Sequence, residues 1–396
     1  MKIGIFTDAY TPAISGVVTS IKMLAEGLRA SGHEVYIFTT KLNMPAEKTN
    51  EIDSKYVVRF KALDLPFKAL SGYRFSMKLN HKANYVKKHY KLDVIHIQTE
   101  FSMGKLGIKV AKKMNIPYVY TFHTMYEEYL PYVSKVIDKY FHKSFFSILK
   151  KMFINPINKN AKVIIVPTKK VFDQHDNYLL TGDIRIVPTG LDLDKFKVEV
   201  SNSELIQLRA KFGIKDDTFI FLSLGRLSKE KSIDIVIRAF ANGQRGKNSV
   251  LLIVGDGPAA DGLKDLAKKL EIESQVIFVG FVDWQDTIKY YKLGDIFVNA
   301  SKSETQGLTY IEALASSLPV LVQNDECLLD VVYNDYNGFL FDGEIELASI
   351  MNDIEKNRDK ITNLKKNCPK SVEKFSKICY ANSVQQIYLD ALSKKE

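Results

Sequence analysis

The side chains best suited to chemistry gather at one turn, Ser301-Lys302-Ser303-Glu304-Thr305-Gln306-Gly307-Leu308-Thr309. The apolar run Ile296-Phe297-Val298 precedes it and the helical run Tyr310-Ile311-Glu312-Ala313-Leu314-Ala315 follows. It is therefore read as a strand-to-helix turn, where the first amides of a helix have no internal partner and the dipole is positive. The N–H groups near Gly307, Leu308 and Thr309 are placed to hold a phosphate, and Gly307 allows a ligand close to the chain. Glu304 and Glu312 bracket the turn with seven residues between them, too far apart to share one helical contact, so they are read as holding different parts of one ligand. The rival reading is an ordinary helix start whose glutamates merely favour the dipole.

Cations are available for that phosphate. Arg226 and Lys231 stand in Gly225-Arg226-Leu227-Ser228-Lys229-Glu230-Lys231, immediately after a strand-like run, where a guanidinium fork and an ammonium could neutralise a diphosphate leaving group. A solvated surface pair is the alternative. Gly255 opens Gly255-Asp256-Gly257-Pro258 after another strand and permits close backbone approach, with a plain turn as rival. Phe281 and Val282 follow a further strand and offer an apolar wall to a nucleobase. His123 sits just past Tyr118-Val119-Tyr120-Thr121, the place for gripping a sugar hydroxyl, although a core histidine is the commoner case. Asp192 and Asp194 form an Asp-x-Asp triplet, but two carboxylates in a linker make a weak cation site, and no metal is expected.

These turns need strands and helices to aim them. Lys2–Phe6, Val35–Phe38, Val94–Ile97, Tyr118–Thr121 and Val163–Val166 are short apolar runs alternating with helical patterns, the signature of a doubly wound parallel sheet. Phe219–Ser223, Val250–Val254, Val276–Val279, Ile296–Val298 and Val320–Val322 repeat it. The reading is α/β with two Rossmann-like domains: residues 1–190 with a terminal segment 375–396, and residues 196–374. The turn-rich stretch Val187–Phe196 is the linker. Parallel sheets bind ligands beyond their carboxyl ends, so the loop Thr7–Val18, holding Gly16, and the loop after His123 should face one cleft. Ile378, Ala381, Val384, Ile387, Tyr388 and Leu392 mark one stripe of a terminal helix.

Composition narrows the partners. At 396 residues the chain exceeds one core. Three cysteines at unrelated spacings suit free thiols rather than a disulfide framework. The opening Met1–Asp8 is not a signal peptide, and no apolar run is long enough to span a bilayer. Charge is lopsided: 30 Lys and Arg against 17 Asp and Glu up to residue 195, and 26 against 29 beyond it. The excess lies in residues 61–91, with Lys68, Arg74, Lys78, Lys82, Lys87 and Lys88 among aromatic and aliphatic residues, and in residues 135–162, with Lys143, Lys150 and Lys151. Such segments, read at helical spacing, suit a helix lying on an anionic lipid surface, the alternative being a core-facing stripe with a solvated lysine face. Nucleic acid is not expected, because no binding module accompanies the charge.

With these pieces placed, nearly the whole chain resembles the family-4 retaining glycosyltransferases of GT-B fold. The resemblance rests on Gly16, His123, Gly225–Lys231, Val254–Pro258, the Glu304 to Glu312 pair with Ala313, and Pro319-Val320. Gln306 stands where many members have Phe, and Ser317 where many have Gly. The run Ser303–Thr309, the first loop and His123–Tyr129 resemble the bacterial diacylglycerol glucosyltransferase branch. The resemblance implies two sheets facing across a cleft, a terminal helix crossing back to the first domain, and a UDP-sugar donor. By position it implies Glu312 on the ribose, Arg226 and Lys231 on the diphosphate, Glu304 with the amides near Gln306, Gly307 and Leu308 on the sugar, His123 near the reacting carbon, and Gly16 beside the phosphates. The implied reaction moves a hexose, expected to be glucose, onto diacylglycerol or a glycosyl-diacylglycerol, at the cytoplasmic face of the membrane, with the protein peripheral. Rivals are a soluble or polyprenyl-linked acceptor, or a non-transferring relative such as a nucleotide-sugar epimerase.

Overall fold

The structure, a computed structural model, describes residues 1–13, 15–41, 55–64, 74–123, 150–244 and 247–393. Contacts divide the chain into two units, Met1–Leu191 with Ser376–Glu396, and Asp192–Phe375.

The first unit contains β1 (Lys2–Phe6), α1 (Gly16–Ala30), β2 (Glu34–Thr40), β3 (Val57–Phe60), β4 (Leu63–Asp64), β5 (Arg74–Phe75), α2 (Leu79–His89), β6 (Val94–Ile97), α3 (Ser102–Met114), β7 (Tyr118–Thr121), β8 (Val163–Val166) and β9 (Ile184–Ile186). Seven strands form one parallel sheet in the order β3-β2-β1-β6-β7-β8-β9. Strand alternation sends side chains to two cores. Ile3, Ile5, Val94 and Val119 pack with α1 and the terminal helix Lys377–Ser393, whereas Phe6, Ile95, Ile97 and Tyr120 pack with α2 and α3. The terminal helix thus covers one face of the first sheet. Its buried stripe is Tyr380, Ala381, Val384, Ile387, Tyr388 and Ala391, while Ile378, assigned to that stripe from sequence, is 44% exposed. Tyr380 takes the inward position, its hydroxyl 2.9 Å from Ser20 Oγ.

The first basic segment, read at helical spacing, is helical only in part among the described residues, and the described start of the second, Lys150–Asn158, is helical. Leu63–Asp64 pairs antiparallel with Arg74–Phe75, and Leu79–His89 is helical. Lys82, read as a surface cation, is half-buried and donates to the Lys61 carbonyl (2.8 Å) and to Ser76 Oγ. Lys78, Lys87 and Lys88 are exposed. In the second segment, Ile154 and Ile157 are core residues, and Lys151 and Met152 are exposed. Lys68, Lys143 and the side chain of Lys150 lie outside the described residues.

The second unit contains β10 (Phe219–Leu224), α4 (Ile233–Gln244), β11 (Ser249–Val254), α5 (Ala260–Lys269), β12 (Val276–Gly280), α6 (Thr287–Leu293), β13 (Ile296–Asn299), α7 (Leu308–Ala315), β14 (Val320–Gln323), β15 (Gly338–Phe341) and α8 (Glu344–Lys356). Its parallel sheet has the order β12-β11-β10-β13-β14-β15, with α4, α5 and α8 packed into a core on one face. In each sheet the first strand of the unit lies between its successor and a later strand. Strand order therefore reverses between β1 and β6, and again between β10 and β13. That reversal splays the connecting loops and leaves a crevice at the carboxyl ends.

Candidate active site

The two loops flanking the β10/β13 reversal carry the charged residues read from the sequence, and the structure joins them. The carbonyl oxygen of Glu230 accepts from Ser301 Oγ (3.3 Å) and Ser303 Oγ (3.2 Å). This stitching sets the next residues face to face, and Lys231 Nζ donates to Glu304 Oε1 at 2.5 Å. The side chains are 22% and 13% exposed, so the pair is largely shielded yet reachable. Three residues beyond Glu304, Gly307 (φ 71°) turns the chain into α7, whose N-terminus has no side-chain cap. The φ requires glycine, and a Cβ would stand 2.3 Å from the Tyr310 ring. An ammonium, a carboxylate and an uncapped helix start thus share one loop cluster. Such a cluster can take an anion on the ammonium and amides while the carboxylate accepts hydroxyl protons.

Glu312 lies on the second turn of α7 and is buried at 6% exposure. Its carboxylate accepts from the Tyr291 hydroxyl (2.7 Å) and from the Trp284 indole. Burial outweighs both bonds and pushes its pKa up to about 7. Trp284, the only tryptophan in the chain, carries Lys195 4.2 Å from its ring centroid. Neither Tyr291 nor Trp284 was read from the sequence, since no spacing ties them to Glu312. Only a tertiary contact does.

The remaining residues of the second unit sit on neighbouring strand ends. Arg226 is exposed in the β10 loop, and Phe281, after β12, is 62% exposed. Val282 beside it is half-buried. The loops after β10, β11 and β12 are laced together by Gly225 N–H to Val254 O (3.0 Å), Leu227 N–H to Asp256 O (3.0 Å) and Gly255 N–H to Gly280 O (2.9 Å). Gly255 has φ 134°, and a Cβ there would lie 1.9 Å from Gly225 O. Gly255→Ala is therefore expected to destabilise the second unit by roughly 2–4 kcal/mol, combining overpacking with backbone strain. Denaturant unfolding followed by Trp284 emission measures it; an unchanged midpoint would contradict this packing.

In the first unit Gly16 is the exposed first residue of α1, capped by the Ser15 hydroxyl, which accepts from Val18 N–H (3.3 Å). Asp8, at the end of β1, is buried and accepts from the hydroxyls of Thr99 and Ser102 (each 2.7 Å) and from Met103 N–H (3.0 Å). It ties the β1 loop to the start of α3, and burial raises its pKa. His123 is half-buried past β7, donating from Nε2 to Gln98 Oε1 (2.5 Å). Desolvation holds its pKa down at about 4, so the ring is neutral near pH 7.

Comparison with known proteins places the family and the fold. Residues 14–195 match the model of Glycosyltransferase Family 4, and residues 206–371 match that of Glycosyl transferases group 1. The chain is 40% identical over 396 residues to the alpha-monoglucosyldiacylglycerol synthase of Acholeplasma laidlawii, covering 100% of this chain and 98% of that one. It is also 40% identical over 350 residues to the protein of that name from Streptococcus pneumoniae, covering 88% of this chain and 77% of that one. Among solved structures, Anabaena HepE in complex with UDP-glucose superposes with TM-score 0.74 at 19% identity, covering 98% of this chain and 100% of that one. Sucrose-phosphate synthase from Thermosynechococcus elongatus gives 0.75 at 22% identity, covering 99% of each. This chain is a GT-B glycosyltransferase and belongs to the family-4 group that includes the alpha-monoglucosyldiacylglycerol synthases.

Proposed function

We propose that the protein transfers glucose from UDP-glucose to the free hydroxyl of diacylglycerol, with retention, while resting on an anionic membrane surface. The observation that carries the donor reading is the Lys231–Glu304 pair beside the uncapped start of α7, at the strand-order reversal of the second sheet. The acceptor reading rests on the full-length 40% identity to the Acholeplasma laidlawii synthase, whose alpha product has the configuration of UDP-α-glucose.

The residues take the following roles. Lys231, Arg226 and the amides of Gly307 and Leu308 hold the diphosphate and stabilise it as it leaves, with Gln306 alongside. Glu304 accepts from sugar hydroxyls and Glu312 from the ribose hydroxyls. Gly255 allows the backbone near the nucleotide, with Phe281 and Val282 beside the base. His123 and Gly16, on the first unit, keep the sugar and phosphate roles that the family resemblance implies for them. The acceptor hydroxyl attacks on the face the leaving group vacates and passes its proton to a phosphate oxygen.

Among the described residues no helix is long and apolar enough to cross a membrane. A surface contact is supported instead by Leu63, Phe75, Met77 and Tyr85, which are exposed between 37% and 63% beside Arg74, Lys78, Lys87 and Lys88. Apolar side chains entering the acyl boundary and cations facing the headgroups give the two terms such binding needs. Purified protein offered UDP-glucose and diacylglycerol in vesicles is expected to release UDP in step with a glucolipid, faster as the anionic lipid fraction rises. Reversing one of Lys87 or Lys88 to Glu should weaken vesicle sedimentation about fivefold or more, since each cation contributes about 1 kcal/mol. Turnover indifferent to anionic lipid contradicts the surface reading, and failure to form any glucolipid contradicts the acceptor.

A further inference from the structure

Beneath His123 runs a buried hydrogen-bonded chain that none of the roles above uses. Gln98, just past β6, lies between two histidines: its Oε1 is 2.5 Å from His123 Nε2, and its Nε2 is 3.1 Å from His96 Nε2. His96 Nε2 is also 2.6 Å from Thr121 Oγ1, and His96 Nδ1 is 2.7 Å from the hydroxyl of Tyr388 on the terminal helix. His96, Gln98, Thr121 and Tyr388 are each at most 3% exposed. The alternation of β6 puts His96 on the sheet face opposite Ile95 and Ile97, the face the terminal helix covers.

An amide oxygen only accepts and an amide nitrogen only donates. With Oε1 turned toward His123, the proton of His123 sits on Nε2, leaving Nδ1 as the ring's acceptor. His96 must offer a lone pair at Nε2, to Gln98 and to the Thr121 hydroxyl, and its proton sits on Nδ1, directed at the Tyr388 oxygen. One amide therefore sets the tautomers of both rings, and burial keeps both neutral, His96 at about 3 and His123 at about 4.

We infer that Gln98 is a positioning residue which fixes His123 as the Nε2–H tautomer, so that His123 presents Nδ1 to its ligand and accepts a hydrogen bond from a sugar hydroxyl instead of donating one. The terminal helix takes part through Tyr388, whose hydroxyl can accept the Nδ1 proton of His96. The inference rests on the reading of His123 as a contact to the donor sugar.

Long-range proton–nitrogen correlation on full-length protein labelled with ¹⁵N-histidine reads the tautomers directly, with His96→Asn and His123→Asn for assignment. The expected result is His123 protonated on Nε2 and His96 on Nδ1. Gln98→Met, similar in length but without the amide, is expected to mix the His123 tautomers and lower kcat/KM for UDP-glucose by on the order of 10²-fold at unchanged circular dichroism. Gln98→Glu can accept from His123 and is expected to retain its Nε2–H form and part of the turnover. His123 protonated on Nδ1 in the wild type overturns the inference whatever the kinetics. So does a Gln98→Met protein with unchanged tautomers. If instead the tautomers are as assigned while His123→Ala turns over normally, the positioning stands and the sugar contact of His123 is what fails.

Discussion

Replacing Lys231 by alanine is expected to lower kcat by about 10²–10³-fold, the usual cost of removing one group aimed at charge that develops in the transition state. The geometry makes a second effect unavoidable. Lys231 is bonded to Glu304 at 2.5 Å, and Glu304 is only 13% exposed, so the substitution leaves a shielded carboxylate without its cation. Breaking such a pair destabilises more than removing both partners does. Lys231→Ala should therefore lose stability as well as turnover, whereas Lys231→Ala combined with Glu304→Gln should regain much of the stability and none of the rate. Steady-state kinetics with UDP-glucose, together with denaturant midpoints for the two variants, separate the contributions. A double variant whose turnover recovers along with its stability would mean that Lys231 serves the fold and not the leaving group.

The second large effect is on Glu312, and its sign reverses between function and stability. The folded-state pKa is raised from 4.5 to about 7 by burial, so between those values the folded protein holds a proton the unfolded chain has lost. The associated stability is fully present below about pH 4.5 and is lost as pH rises through about 7. At 1.36 kcal/mol per unit the loss amounts to roughly 3 kcal/mol. Glu312→Gln cannot ionise and keeps an oxygen for Tyr291 and Trp284. Relative to wild type it is expected to gain stability steadily from pH 5 to pH 8, even as its KM for UDP-glucose rises by roughly tenfold or more through the lost carboxylate contact to ribose. Trp284 emission follows both unfolding and the protonation of its partner. A wild-type minus variant difference that stays flat across this pH range would place the carboxylate in a solvated setting, contrary to its 6% exposure.

Much of this was legible in the chain because the relevant signals are local. Central strands such as Val163–Val166 and Val250–Val254 are apolar throughout, as burial on both faces demands, and they announce the two parallel sheets. The strand-to-helix turn at Gly307 and the loop after β10 follow from residue types within a few positions of each other. The edge strands Val57–Phe60, Ile184–Ile186 and Gly338–Phe341 gave no such signal, being short and only partly buried. What sequence could not supply were relations across the fold. The bond from Lys231 to Glu304 spans 73 positions, and that from His96 to Tyr388 spans 292. Ser301 and Ser303 look like turn residues until the Glu230 carbonyl is seen between them. Lys82 and Ile378 were misjudged for the same reason, because one face of a helix can be named from spacing, but what it meets cannot.

The central claim is that the carboxyl ends of the second sheet hold the sugar nucleotide. Hydrogen–deuterium exchange on the full chain, with and without UDP-glucose, tests it without depending on turnover. The expected result is slowed exchange of the amides in Gly225–Ser232 and in Glu304–Glu312 together, diminished in Lys231→Ala. Protection confined to other segments, with these two loops exchanging as they do in the absence of UDP-glucose, would contradict it.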